Sequence, residues 1–468
     1  TTIADHFHYL GDTPHSGNAK SDSAGGGHAH AGAMFYLGGA WPGEFRNRIF
    51  MNNIHGQRIN TDVVTPSGSG LVGSHGPDFL LTQDRASQIL NFRYGPDGQV
   101  YIIDWYDMQA CHDNNSSAHD RVNGRIYKVS YGDPEPVVVD LQKWTDVELA
   151  DAMLEENDWY VRHTRRILQE RGAKRAIDSA AVARLIEIAT THAADTRRLR
   201  AIWALHGIGQ LDLALTQKLL NDASPYVRAW ATQLALEKNA PGGTLLEELE
   251  RLSSKDPSPI VRLYLAAALQ RIPLEQRWEI LAGLASHGED ATDHNLPLMV
   301  WYAAEPLVAT DATRSLVFGF QCGKTMPLVR DYVLRRVASL NSPDSLISLV
   351  NALGKSEDTS EQLAILSALR QATKGQRIVE PPAAWEAIYQ RLAQADNEKL
   401  RTSANALGIA FGDANALAAF RRLVSNPSAE IEVRRDALAS LLAVKDAELV
   451  GTLQELVLEP ALRDAALN

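Results

Sequence analysis

Cysteine is scarce in this chain: 468 residues hold two, Cys111 and Cys322. They lie far apart and form no C-x-x-C pair, which excludes a zinc ribbon and a c-type haem attachment within these residues. No run of about 18 apolar residues occurs, so no segment reads as a transmembrane helix. Positive charge is also in deficit. Lys and Arg number 46 against 57 Asp and Glu, a formal net charge of -11, which argues against a nucleic-acid-binding surface. The opening residues Thr1-Thr2-Ile3-Ala4-Asp5 lack the basic and apolar regions of a signal peptide. P-loop, H-E-x-x-H and G-x-S-x-G patterns are missing as well, against nucleotide, zincin and α/β-hydrolase chemistry. What is present is an ordinary globular balance, 45% hydrophobic and 22% charged, over a length that suits two or three domains.

Two regions differ in grammar. The first 140 residues carry 18 of the 32 glycines and 9 of the 14 histidines, and the rest is rich in Ala, Leu, Arg and Glu. The first region reads as short strands at residues 33–37, 48–52, 100–104 and 125–129. Each is β-branched or aromatic and bounded by turn formers such as Gly95-Pro96-Asp97-Gly98 and Asn123-Gly124. Many short strands with regular turns indicate a sandwich, barrel or propeller. Gly132-Asp133-Pro134-Glu135-Pro136 reads as the start of a linker. The expected organisation is therefore β-structure over 1–135, a linker over 136–143 and helices over 144–468.

Helical grammar starts at Thr145-Asp146-Val147-Glu148, which has capping-box spacing. A second helix is expected from Tyr160 to Arg171, stopping at Gly172. The strongest internal signal is a repeat. Asp222-Ala223-Ser224-Pro225-Tyr226-Val227-Arg228 matches Asp256-Pro257-Ser258-Pro259-Ile260-Val261-Arg262, 34 residues on. Ser stands at the expected N-cap and Pro in the first turn, where its missing N–H costs nothing. Weaker copies of the apolar-Arg step fall at Arg162, Arg200, Arg330, Arg401 and Arg434. Two helices per repeat define a HEAT-type α-solenoid of about eight repeats, with an Asp–Arg ladder expected between neighbours. The final residues Ala465-Ala466-Leu467-Asn468 offer no polar capping helix. The β region suffices for about three blades of about 45 residues. Both features create the expectation that the chain is part of a longer protein.

An ordered set of motifs carries a resemblance. It comprises Gly26-Gly27-His28-Ala29-His30, Asn53-Ile54-His55-Gly56-Gln57-Arg58-Ile59-Asn60 and Gly95-Pro96-Asp97-Gly98 with Asp104-Trp105-Tyr106-Asp107. His119-Asp120-Arg121-Val122-Asn123-Gly124-Arg125-Ile126-Tyr127, Asn157-Asp158-Trp159-Tyr160-Val161-Arg162-His163 and Glu289-Asp290-Ala291-Thr292-Asp293-His294-Asn295-Leu296-Pro297 follow. Together they resemble the membrane-bound or PVC-type dehydrogenases of bacteria. In that family a glucose/sorbosone-dehydrogenase-like, quinoprotein-type β-propeller precedes HEAT repeats and often a cytochrome c domain. The resemblance implies the last propeller blades followed by a HEAT solenoid. It also implies oxidation of a sugar or alcohol, PQQ with Ca2+ as cofactors, a cytochrome c electron acceptor, a protein partner docked on the solenoid, and a periplasmic or secreted location. The chain departs from the longest members in lacking the earlier blades and the Cys-x-x-Cys-His haem motif. The alternative is a non-catalytic propeller–HEAT scaffold, since propellers host many functions.

Candidate chemistry follows from residue type and spacing. His28 and His30, two apart in a strand, share a face and suit metal ligation or acid–base work. The alternative is a polar strand entrance. In a second cluster, His55 is the candidate acceptor of a substrate hydroxyl proton. Arg58 and Asn60 are its candidate cofactor-binding neighbours, a guanidinium suiting a quinone's carboxylates. The alternative is a hydrogen-bonded turn. Asp97, Asp104 and Asp107 flank one strand and supply oxygen ligands for Ca2+, or else serve as turn residues. Cys111-His112-Asp113 with His119-Asp120 reads as a loop rather than a nucleophile site. His287, Glu289, Asp290, Asp293 and His294 form a metal-like cluster, read as a helix-capping segment. Trp203, Trp230, Trp278 and Trp301 read as helix-core residues.

Overall fold

Residues 30–54, 56–84, 86–108, 117, 119–237, 240–373 and 380–467 are described by a computed structural model. The chain divides into two units, Thr1–Lys238 and Asn239–Asn468. The first unit opens with five antiparallel strands: β1 (His30–Phe35), β2 (Ile49–Asn53), β3 (Arg58–Ser67), β4 (Gly70–His75) and the short β5 (Leu80–Leu81). Their order is β1-β2-β3-β4, with β5 also paired to β3. A second antiparallel sheet has the order β6 (Ile89–Tyr94), β7 (Val100–Asp104), β8 (Arg125–Val129). Neither sheet closes into a barrel among the described residues.

In β7 the alternation is plain: Val100, Ile102 and Asp104 are buried while Tyr101 and Ile103 are exposed, the period-two signature of a sheet with one buried face. The core that joins the two sheets is aromatic. Tyr36, Phe50, Ile59, Phe92 and Val100 are buried in it, with Trp41 close behind. Tyr36 stacks on Trp41 with ring centroids 4.5 Å apart. Its hydroxyl donates to the Gly98 carbonyl at 2.9 Å and accepts from the amides of Ala40 and Trp41. Gly98 has φ +71, and a Cβ there would lie 2.5 Å from the Gly38 carbonyl oxygen. Only glycine tolerates that turn and that approach.

The expected strands at 100–104 and 125–129 coincide with β7 and β8, while β1 and β2 lie within a few residues of their expected places. The longest hairpin, β3–β4, was not expected. Its turn hides among breakers, Pro66, Gly68, Gly70 and Gly73. Gly68-Ser69-Gly70-Leu71-Val72-Gly73 also has the letters of a dinucleotide fingerprint. Here it forms an antiparallel hairpin with no following helix, so the strand–turn–helix context that fingerprint needs is missing.

Helices follow. Thr145 caps α1 (Asp146–Asp151) through the expected box: its Oγ1 accepts from the Glu148 amide at 3.2 Å, and Glu148 accepts from the Thr145 amide at 2.7 Å. The first unit continues with α2 (Asp158–Gly172), α3 (Ser179–Thr191), α4 (Asp195–Gly207), α5 (Leu213–Leu220) and α6 (Pro225–Ala235). The second unit holds α7 (Gly243–Lys255), α8 (Pro259–Ala268), α9 (Trp278–Ala285), α10 (Leu296–Thr310), α11 (Ala312–Cys322), α12 (Pro327–Ala338), α13 (Pro343–Lys355) and α14 (Thr359–Thr373). After these come α15 (Trp385–Leu392), α16 (Glu398–Ala410), α17 (Ala414–Val424), α18 (Ile431–Ala443), α19 (Val450–Leu456) and α20 (Arg463–Leu467). In each unit a helix packs on the next and on the next but one. Thus α2, α4 and α6 stack in the first, and α8, α10, α12, α14 and α16 stack in the second. Among the described residues no helix is long and apolar enough to cross a membrane.

The repeat motif works differently from its expectation. Ser224 and Ser258 stand at the N-caps, but neither hydroxyl caps its helix. The Asp two residues earlier accepts the serine amide instead, Asp222 from Ser224 at 2.7 Å and Asp256 from Ser258 at 2.9 Å. The repeat arginine then bonds the carbonyl of that Asp: Arg228 reaches Asp222 O at 2.7 Å and Arg262 reaches Asp256 O at 2.8 Å. Cross-repeat ion pairs do occur, with other carboxylates. Arg262 grips both oxygens of Asp290 at 2.6 Å, and Arg434 both oxygens of Glu459 at 2.6 Å.

Candidate functional site

Pairing of β2 with β3 sets Asn53 opposite Arg58 and Met51 opposite Asn60, and β1 brings His30 opposite Asn53. Three strands therefore deliver polar side chains to one end of the first sheet. His30 Nε2 lies 3.1 Å from Asn60 Oδ1, which also accepts from Asn53 Nδ2 at 3.1 Å. Asn60 Nδ2 donates to Asp78 Oδ1 at 2.6 Å. Arg58 Nη1 meets the other oxygen of Asp78 at 2.9 Å. His75, at the end of β4, has Nε2 3.6 Å from Asp78 and Nδ1 3.7 Å from Asp62. The backbone holds this cluster firmly: Gly56 N donates to Asn53 Oδ1, and Thr61 Oγ1 donates to the Pro77 carbonyl at 2.6 Å. Asn53 and Asn60 are buried, and buried polar groups of this kind persist because they are mutually hydrogen-bonded.

The structure thus gathers His30, Arg58 and Asn60 of the expected residues around Asp78. His28 and His55 lie outside the described residues, as do Cys111, His112 and Asp113. Sequence reading missed Asp78, His75 and Asn53. His75 and Asp78 sit in Ser74-His75-Gly76-Pro77-Asp78, a stretch whose turn character hid their meeting with residues some twenty positions earlier.

Asp97, Asp104 and Asp107 serve three separate turns. Asp97 accepts from Gln99 N at 3.1 Å and pairs with Lys128 at 2.7 Å. Asp104 is buried and accepts from Gln88 N at 2.6 Å, Tyr106 N at 2.9 Å and the Ser87 hydroxyl at 2.9 Å. Asp107 accepts from Asp120 N at 2.9 Å and lies 3.5 Å from His119. These contacts do not gather the three around one cation. Among the described residues no three His, Cys, Asp or Glu side chains form a cluster able to hold a metal ion. In the later segment Asp290 is the partner of Arg262, His287 bonds Glu289 at 2.9 Å, and Asp293 accepts from the amides of Asn295 and Leu296. Trp278 is buried and Trp203 meets Trp230 edge to face at 5.0 Å.

Set beside known proteins, residues 5–133 match a family model described as "Domain of unknown function (DUF7133)". No curated protein matches the chain in sequence. Among solved structures the chain is similar to the X-ray structure of YibA from Escherichia coli, a structural-genomics target. Identity is 12% and the TM-score 0.29, over 65% of this chain and 95% of that one.

Proposed function

We propose that the chain belongs to a quinoprotein-like dehydrogenase that oxidises sugars or alcohols. In this reading the antiparallel sheets are blades of a β-propeller and the helices form a HEAT-type solenoid that docks a protein partner or a cytochrome c acceptor, in the periplasm or outside the cell. The observation that carries it is the convergence of His30, Asn60, Arg58 and His75 on and around Asp78. Such a set offers donors and acceptors for sugar hydroxyls and groups able to take a hydroxyl proton as the carbon is oxidised. The exposed apolar residues Tyr101, Ile103 and Ile126 of the second sheet also suit a blade that packs on a neighbouring blade.

The described residues do not fit PQQ unaided. The Arg58 guanidinium, the group suited to a quinone's carboxylates, is already compensated by Asp78. For Ca2+ the carboxylates Asp97, Asp104 and Asp107 are each taken up by turns. That compensation favours a second reading, a non-catalytic scaffold whose propeller and solenoid bind polymer or protein. The test is full-length protein supplied with PQQ and Ca2+ and assayed by dye reduction over a panel of sugars and alcohols. The dehydrogenase reading expects turnover on at least one, lowered about 100-fold by His30→Gln. No dye reduction across the panel would sink it in favour of the scaffold.

A further inference from the structure

A cleft of about 1080 Å3 lies within the first unit, between the sheets and helices α2 and α4. Its walls carry six arginines, Arg46, Arg93, Arg162, Arg165, Arg197 and Arg200, against two acids, Glu156 and Asp158. In a chain of net charge -11 that concentration of one sign is a local exception. Asp158 is fully engaged: Arg162 Nε stands 2.9 Å from one oxygen and Arg200 Nη2 3.0 Å from the other. Glu156 is mostly exposed and lies 3.7 Å from both Arg46 and Arg197, too far for a hydrogen bond.

The remaining cations are under-compensated. Among the described residues the Arg165 guanidinium makes no hydrogen bond or ion pair; it lies over the Trp203 ring at 5.4 Å. Burial lowers its basicity, with only the more distant Asp158 pulling the other way. Arg46 Nη1 and Trp203 Nε1 are buried donors with no hydrogen-bond partner among the described residues. Leaving a buried donor unmatched costs about 1–3 kcal/mol, and a structural role does not explain two such donors beside an unpaired guanidinium in one cleft. Aromatic faces stand beside them: Trp159 stacks on His163 at 4.2 Å, and Arg162 lies over Tyr94 at 4.8 Å.

We propose that this cleft binds the sulfate or phosphate monoester group of a small ligand, held by Arg46 and Arg165 with Trp203 Nε1 as a third donor. Planar guanidiniums match the oxygens of such a group, and a desolvated site strengthens each contact. The inference is independent of the oxidation reading, because none of these residues belongs to the cluster around Asp78.

Titration calorimetry of the whole chain with inorganic sulfate, inorganic phosphate, glucose 6-sulfate and glucose 6-phosphate tests it. Saturable binding of at least one ester is expected, weakened at least tenfold by Arg165→Gln and by Arg46→Gln separately. Arg251→Gln, in the second unit, should leave it unchanged. The ester that binds more tightly names the source of the group. Because Arg165 has no hydrogen-bond partner among the described residues, its replacement should leave the thermal midpoint intact, so lost binding is not lost folding. Absence of binding by all four probes, binding indifferent to both cleft substitutions, or equal weakening by Arg251→Gln would each overturn the proposal.

Discussion

Arginines in two regions of the molecule stand in opposite circumstances. In the second unit Arg262 is 2% exposed, and its guanidinium is saturated by both oxygens of Asp290 and the Asp256 carbonyl. In the cleft of the first unit Arg165 is partly buried and unpaired among the described residues. Both carry a desolvation cost. At Arg262 a carboxylate and a carbonyl offset it, so the residue works as a brace between repeats. At Arg165 only the Trp203 face and the more distant Asp158 charge do so, which is how binding sites differ from struts.

The sharpest way to break this contrast is to remove a brace. Arg262→Ala strands buried Asp290 and should destabilise the protein by about 3–5 kcal/mol, read by denaturant unfolding. A value under about 1 kcal/mol would mean the brace contributes little. Asp146 is a smaller case. It is buried and bonds Arg171 at 2.8 Å, Arg175 at 2.7 Å and the Asp178 amide at 3.1 Å. Arg175 in the first place, then Arg171 and the amide, hold its carboxyl well below the usual range. Since Arg175 is half exposed, Asp146→Asn should cost about 2 kcal/mol at neutral pH. A depressed carboxyl stabilises fully above its ordinary value of about 4, and that contribution fades as the pH falls below it. The gap between wild type and Asp146→Asn should therefore narrow on acidification, as unfolding curves from pH 7 downward would show. At the small end, Arg165→Gln should shift stability by less than about 0.5 kcal/mol.

Local grammar was legible wherever the chemistry is local. The capping box of Thr145 and Glu148, the turn Gly95-Pro96-Asp97-Gly98 and the 34-residue repeat all involve residues within one turn or one period. Hairpin β3–β4 escaped because glycine and proline break its alternation, although strand pairing tolerates them at a turn. At the candidate site, Arg58 and Asn60 drew notice by their spacing, but Asp78, the residue that joins them, arrives through β-sheet register. The arginine cleft was wholly hidden. Its arginines run from Arg46 to Arg200 as two single residues and two helical pairs, Arg162 with Arg165 and Arg197 with Arg200, and only the packing of α2 and α4 near the sheets assembles them. The repeat arginines show the converse: the motif was visible, but Arg262 takes the carbonyl of Asp256 and the carboxylate of Asp290, a choice set by helix geometry.

Paired unfolding and sulfate-titration experiments on Arg165→Gln and Arg262→Gln test the central contrast most directly. Arg165→Gln should unfold like wild type and lose ester binding, while Arg262→Gln should lose stability and, where still folded, bind as wild type does. An Arg165→Gln protein destabilised by more than about 1 kcal/mol, with ester binding unchanged, would show Arg165 to be another strut and contradict it.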